Sequence, residues 1–170
     1  SYAGQVFSDI YGQYKNIIDI KCIDTGEVNE YVSKVDLVFI ALPHGLAFET
    51  AIICNELNVK VIDIGADFRL KDLSTYKKWY KVEHGAKSLN QVSVYGLPEV
   101  YRDQIKGASL IGNPGCFPTA SILGLMPLVK QDFVDSSSII IDAKSGVSGA
   151  GRSTKIDNLY GEINESFKAY

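Results

Sequence analysis

An apolar run, a helix-period stretch and a second apolar run follow one another within residues 36–64, and no other feature restricts the fold as much. Residues 36–42 (DLVFIAL) are almost continuously apolar, the pattern of a central parallel strand covered on both faces. Pro43-His44-Gly45 breaks the run. Residues 46–58 then read as a helix, with Phe48, Ile52, Ile53 and Leu57 on one face. Residues 60–64 read as the next strand. Alternation of this kind predicts an α/β domain with a doubly wound parallel sheet. Ligands bind such sheets past the carboxyl ends of the strands. Pro43-His44-Gly45 and Gly65-Ala66-Asp67 follow two of those ends and are expected to line one edge of a cleft.

The flanking segments are less regular. Residues 1–15 are polar and aromatic and read as loop, and Ile17, Ile18, Ile20, Cys22 and Ile23 suggest a strand. Short helices are expected over residues 27–34, 74–81 (with Ser74 as N-cap) and 99–106, with a loop over 83–92. Tyr76, Trp79 and Tyr80 read as packing residues, and His84 beside them as structural. Residues 108–111 predict a buried strand, and residues 138–143 (SIIIDA) another. Residues 160–170 carry a weak helical pattern.

Charge and cysteine usage exclude several classes. A net charge of −3 argues against a nucleic-acid or anionic-membrane surface. No apolar run is long enough to span a bilayer as a helix. Cys22, Cys54 and Cys116 are widely spaced and odd in number, which suits reduced thiols in the cytoplasm better than a disulfide framework or a metal site.

Cys116 stands apart from the other two. It ends the turn Gly112-Asn113-Pro114-Gly115, which lies between the strand over 108–111 and a largely apolar helix from Phe117 onward. Pro118 suits the first turn of that helix, where its missing N–H costs nothing. A cysteine at a helix start sits at the positive end of the dipole, beside unpaired N–H groups, and both favour thiolate over thiol. Most free cysteines are packing residues, but this context predicts a nucleophile. Asn113 suits either oxyanion stabilisation or plain turn chemistry.

Gly112-Asn113-Pro114-Gly115-Cys116-Phe117-Pro118-Thr119 resembles the active-site segment of the N-acetyl-gamma-glutamyl-phosphate reductases, within the semialdehyde dehydrogenase superfamily. That family usually has Tyr at Phe117 and more often Ser at Gly65. Four further stretches resemble it in the same order: residues 41–45 (ALPHG), 62–70 (IDIGADFRL), 95–99 (YGLPE) and 145–152 (SGVSGAGR). The resemblance implies a partial Rossmann-like domain over residues 1–112, lacking its first βαβ unit and glycine-rich phosphate loop. It also implies the start of an α+β catalytic and dimerisation domain over residues 113–170. The chain then reads as a piece of a longer enzyme, without turnover of its own, since the family's general-acid histidine lies downstream.

The chemistry implied is NADPH-dependent reduction of an acyl phosphate to an aldehyde in arginine biosynthesis. A cysteine suits it: thiolate attack expels phosphate and leaves a thioester, which unlike a carboxylate accepts hydride from a nicotinamide. The resemblance assigns Ser145, Gly146, Ser148, Gly149 and Gly151 to the cofactor loop, where small residues let a backbone approach a ligand closely. It makes Pro43 and His44 a wall of the cofactor site rather than a source of acid–base catalysis. Tyr95 and Glu99 precede the cysteine segment and are expected to line the substrate cleft. Arg152 suits a substrate carboxylate or phosphate, a solvated arginine being the alternative. Asp63, Asp67 and Arg69 read as a second site or, preferably, as a buried ion pair holding the loop after a strand. Reductases of aspartyl or aminoadipyl phosphates, and a non-catalytic oligomerisation module, are the competing readings. A symmetric homo-oligomer is expected of the full-length protein.

Overall fold

A computed structural model describes residues 2–151 and 155–167. The chain divides into two compact units, Ser1–Thr119 and Ala120–Tyr170.

The first unit opens with a short helix, α1 (Phe7–Ile10), and a 3-10 turn, Gly12–Tyr14, where the sequence predicts loop. The strand expected over residues 17–23 is reduced to one antiparallel bridge between Val6 and Lys21. Ile17 and Ile20 stay 73% and 65% exposed. Apolar alternation makes a strand only where a neighbour takes up its backbone groups, and here only the groups of Ile20 and Cys22 are taken up, in three bonds with Gly4, Gln5 and Phe7.

Helix α2 (Val28–Val32) leads into β1 (Leu37–Ile40), and α3 (Phe48–Glu56) connects β1 to β2 (Lys60–Asp63). Helix α4 (Leu73–Tyr80) is capped by Asp72 rather than Ser74. The Asp72 carboxylate accepts from the Ser74 hydroxyl at 2.6 Å and from the Thr75 N–H at 2.6 Å, and these bonds, the Ser74 hydroxyl foremost, hold its pKa down at about 2. Residues 83–92 are not all loop, because α5 (Lys87–Val92) forms within them. Lys71 Nζ donates to the carbonyls of Asn90 (2.7 Å), Gln91 (3.1 Å) and Ser93 at the end of that helix, a cation on the carbonyls a helix leaves open. Strand β3 (Val94–Tyr95), the kinked helix α6 (Pro98–Gly107) and β4 (Leu110–Gly112) complete the unit.

The four strands form one sheet in the order β1-β2-β4-β3, parallel throughout. Phe39 pairs with Ile62, Ile62 with Ile111, and Ile111 with Val94. The core lies on the other face. There Ile40, Val61 and Leu110 are buried with Ala51 and Cys54 of α3 and with Phe68, Ala86 and Leu89. Each large aliphatic side chain so buried contributes roughly 1.5–3 kcal/mol. The sequence predicts a central, doubly covered β1, but β1 is an edge strand in this sheet, with Phe39 61% exposed. Its run is apolar on both faces, and the described residues cover one of them.

Helix α7 (Cys116–Lys130) starts at the end of the first unit and carries Pro127 in its interior. In the second unit a 3-10 turn, Ser136–Ser138, precedes the segment expected to be a strand over 138–143. No strand forms there, and Ile140 is 93% exposed. Among the described residues of that unit no other strand offers an edge, so its backbone groups have no ladder to join. A second 3-10 turn, Val147–Ala150, and helix α8 (Tyr160–Ile163) follow. The helical pattern over 160–170 is therefore realised in its first turn, and residues 168–170 lie outside the described residues.

Candidate active site

A parallel sheet opens all its carboxyl ends on one edge, so the loops after β1, β2, β3 and β4 converge there. The chain knits them together with backbone groups and with the side chains of Arg69 and Asp67. The Asn113 N–H donates to the Asp63 carbonyl at 2.8 Å, and the Gly96 N–H to the Gly112 carbonyl at 2.9 Å. Arg69 donates through Nε to the Asn113 carbonyl at 2.6 Å and through Nη2 to the Ile64 carbonyl at 2.9 Å. Gly112 sits so close to the next loop that a Cβ there would lie 2.3 Å from the Phe68 carbonyl oxygen.

Cys116 is the first residue of α7 and is exposed. The Gly115 carbonyl before it accepts from the Thr119 N–H at 3.0 Å and the Thr119 hydroxyl at 2.8 Å, which fixes the first turn. The Asn113 amide donates to the Pro114 carbonyl at 3.1 Å, inside its own turn. The other cysteines differ in setting. Cys54 is fully buried, and burial pushes its thiol up; Cys22 is half-buried.

Tyr95 ends β3, paired with Gly112, and meets Tyr101 edge-on at 6.3 Å between ring centroids. Burial, first of all, raises its pKa and keeps the phenol protonated. Glu99 lies exposed in the first turn of α6. Pro43 and His44 are exposed in the loop after β1, with the His44 ring 5.5 Å from that of Tyr80. Ser145, Gly146, Ser148, Gly149 and Gly151 belong to the second unit. There Ser145 donates to the Gly146 carbonyl at 3.1 Å, the Gly149 N–H closes a turn onto the same carbonyl at 3.0 Å, and Gly151 adopts φ +68°. Arg152 lies outside the described residues.

Asp63, Asp67 and Arg69 form no ion pair with one another among the described residues. The two carboxylates accept backbone N–H groups and the arginine donates to carbonyls. Asp63 is fully buried, and desolvation raises its pKa although the Gly65 and Asp67 N–H groups oppose the shift. Sequence reasoning missed the polar cluster beside it. His84 is 3% exposed, donates through Nε2 to the Asp67 carbonyl at 2.7 Å and accepts the Ala86 N–H at Nδ1 (3.2 Å). The rings of Phe48 (4.6 Å), Tyr76 (5.0 Å) and Phe68 (5.5 Å) enclose it. The only sequence signal for this cluster was a histidine amid aromatic residues.

Burial holds the His84 imidazole below its ordinary value. A folded-state pKa below the unfolded one adds stability above the unfolded value, about 6.5, and that stability is lost as pH falls. Urea denaturation is therefore expected to show the unfolding free energy falling more steeply between pH 7 and pH 5 than in His84→Gln. The extra slope reaches at most about 1.4 kcal/mol per pH unit. Equal slopes would mean that His84 does not titrate differently on folding.

Among the described residues no group of three or more His, Cys, Asp or Glu side chains could hold a metal ion, and no helix is long and apolar enough to cross a membrane. Residues 1–108 match the family model of the semialdehyde dehydrogenase NAD-binding domain, and residues 116–170 that of the semialdehyde dehydrogenase dimerisation domain. The chain is 55% identical to an N-acetyl-gamma-glutamyl-phosphate reductase of Clostridium novyi, 49% to one of Pelotomaculum thermopropionicum and 45% to one of Moorella thermoacetica. Each alignment covers 100% of this chain and 49% of the relative, so the chain spans about half the length of the curated relatives it matches. With these two matches on either side of the cysteine turn, the chain belongs to the semialdehyde dehydrogenase family.

Proposed function

We propose that this chain supplies the nucleophile and part of the cofactor-binding region of an NADPH-dependent N-acetyl-gamma-glutamyl-phosphate reductase, acting in arginine biosynthesis. The observation that carries the reading is the placement of Cys116. It is exposed, begins a helix and leaves the carboxyl edge of a parallel sheet on a turn pinned by Arg69 and by the Asp63 carbonyl. The relatives named above bear on the choice of acyl group. We divide the chain at residue 113 into the cofactor-binding and catalytic parts. We expect residues 1–170 alone to lack turnover, and the longer polypeptide to be a cytoplasmic homo-oligomer. The three cysteines, free in the structure, fit a reducing compartment.

The Cys116 thiolate would attack the acyl carbon of the substrate. The sulfur–carbon bond forms, the carbon–oxygen bond to phosphate breaks, and inorganic phosphate leaves with that electron pair. The Cys116 N–H, at a helix start with no helical carbonyl to serve, is a donor for the oxyanion that develops. Asn113 keeps the turn in shape through its bond to Pro114. Tyr95 and Glu99 stand at the ends of the neighbouring loops, where substrate selection would occur. Arg152, with its forked guanidinium, remains the candidate partner for a substrate carboxylate or phosphate.

A nicotinamide dinucleotide fits the loop edge of such a sheet. When bound, it would supply the hydride that takes the thioester to the aldehyde level. The loop after β1 offers it side chains rather than N–H groups, because Asp67 already occupies the N–H groups of Gly45 and Ala47. Pro43 and His44 would then form the wall. The turn over Ser145, Gly146, Ser148, Gly149 and Gly151 would bring exposed backbone to the cofactor.

The test is to mix the full-length polypeptide with N-acetyl-gamma-glutamyl phosphate in the absence of NADPH. We expect a burst of about one phosphate per active site and an N-acetylglutamyl adduct on the peptide containing Cys116, read by mass spectrometry. Phosphate release without an adduct on that peptide would remove Cys116 from the chemistry.

A further inference from the structure

The fully buried carboxylate of Asp67 joins the loop after β1 to Tyr76 of α4. Its Oδ1 accepts the Gly45 N–H at 2.7 Å and the Tyr76 hydroxyl at 2.6 Å, and its Oδ2 accepts the Ala47 N–H at 3.1 Å. The same residue is held from behind: its N–H donates to Asp63 Oδ2 at 3.2 Å, and its carbonyl accepts from His84 Nε2 at 2.7 Å. Gly45 has φ +85°, and a Cβ there would lie 3.2 Å from Val82 Cγ1, so a residue with a side chain would be strained at this point of the loop. Ala47 is the N-cap of α3. The carboxylate therefore lies at a helix start, where open N–H groups would otherwise draw an external anion. No cation among the described residues pairs with it; backbone and phenol donors satisfy it instead.

We propose that Asp67, with Tyr76 and His84 behind it, is a positioning residue that sets the Pro43-His44-Gly45 wall for the cofactor and closes the start of α3 to the cofactor's phosphates. The proposal rests on the reading of that loop as part of the cofactor site. The cysteine turn hangs on different bonds, those of Arg69 and of the Asp63 carbonyl. Loss of the Asp67 charge should therefore separate cofactor binding from cysteine reactivity.

The substitution Asp67→Asn places an amide N–H against one of the donors. In the full-length protein we expect amide hydrogen exchange over residues 41–50 to rise about tenfold. The NADPH dissociation constant, measured by fluorescence titration, should rise by a similar factor, while iodoacetamide alkylation of Cys116 stays within about twofold of wild type. Tyr76→Phe removes one donor and should raise the dissociation constant by about threefold. This milder variant decides the matter if Asp67→Asn does not fold. An unchanged dissociation constant in the folded variants would overturn the proposal, and so would a parallel loss of Cys116 reactivity, which would mark general disruption. A wild-type protein that fails to bind NADPH would overturn the cofactor reading itself and the proposal with it.

Discussion

Cys116→Ala in the full-length polypeptide is expected to lower NADPH-dependent turnover of the acyl phosphate by about 10⁴-fold or more, with the fold unchanged. The magnitude follows from the chemistry. Without the thiolate no thioester forms, and phosphate is no longer expelled by a group held in place. The structural half of the prediction follows from exposure. The Cys116 side chain opens a helix at the surface rather than filling the core, so its loss creates no cavity. Far-UV circular dichroism and the urea midpoint should match wild type. Cys54→Ala should do the reverse, lowering the urea midpoint, because Cys54 lies on the buried face of α3 and its loss leaves a void. A Cys116→Ala protein with turnover within tenfold of wild type would end the covalent reading.

Gly112→Ala is expected to cost about 3 kcal/mol or more of stability, at or beyond the usual range for overpacking. The reason is the identity of the obstructing atoms. The added Cβ would lie 2.3 Å from the Phe68 carbonyl oxygen, 2.6 Å from its carbon and 3.1 Å from the Arg69 nitrogen. All three are backbone, and no rotamer change relieves the clash. Relief requires β4 to slide against β2, which breaks the register Asp63↔Gly112 and the Asn113 N–H bond to Asp63. The cysteine turn begins at that point, so the substitution should also slow alkylation of Cys116. Gly107→Ala is the control: it ends α6 with nothing within 4 Å of the added Cβ, and its stability should stay level or rise by about 0.5 kcal/mol. Equal urea midpoints for the two variants would show that the close approach at Gly112 is not what restricts the position.

These expectations draw unequally on sequence and structure. Two strands and the helix between them were legible because their apolar periodicity is local and strong: β1, α3 and β2 lie within the predicted spans. The start of α7 at Cys116 followed from turn dipeptides and from Pro118, which act within a few residues. Ser74 was the wrong cap because Asp72, a stronger charged acceptor two residues earlier, reaches the Thr75 N–H first. The isoleucines of 17–23 and 139–141 look like strands by composition, but a strand is completed only by its neighbour. The rings around His84 and the bonds of the Asp67 carboxylate to Gly45 and Ala47 had no local signature, since those partners lie far along the chain.

By itself, the sequence determined the α/β class, the parallel alternation and the position of Cys116 at a helix start, all properties of short windows. Tertiary structure alone decided that β4 runs between β2 and β3, that β1 lies at the edge of this sheet, and that Arg69 and Asp67 serve backbone groups rather than each other. The physical reason is the same in each case. Propensity and capping act between residues a turn apart, whereas strand order and the satisfaction of buried charge depend on which distant backbone groups arrive unpaired.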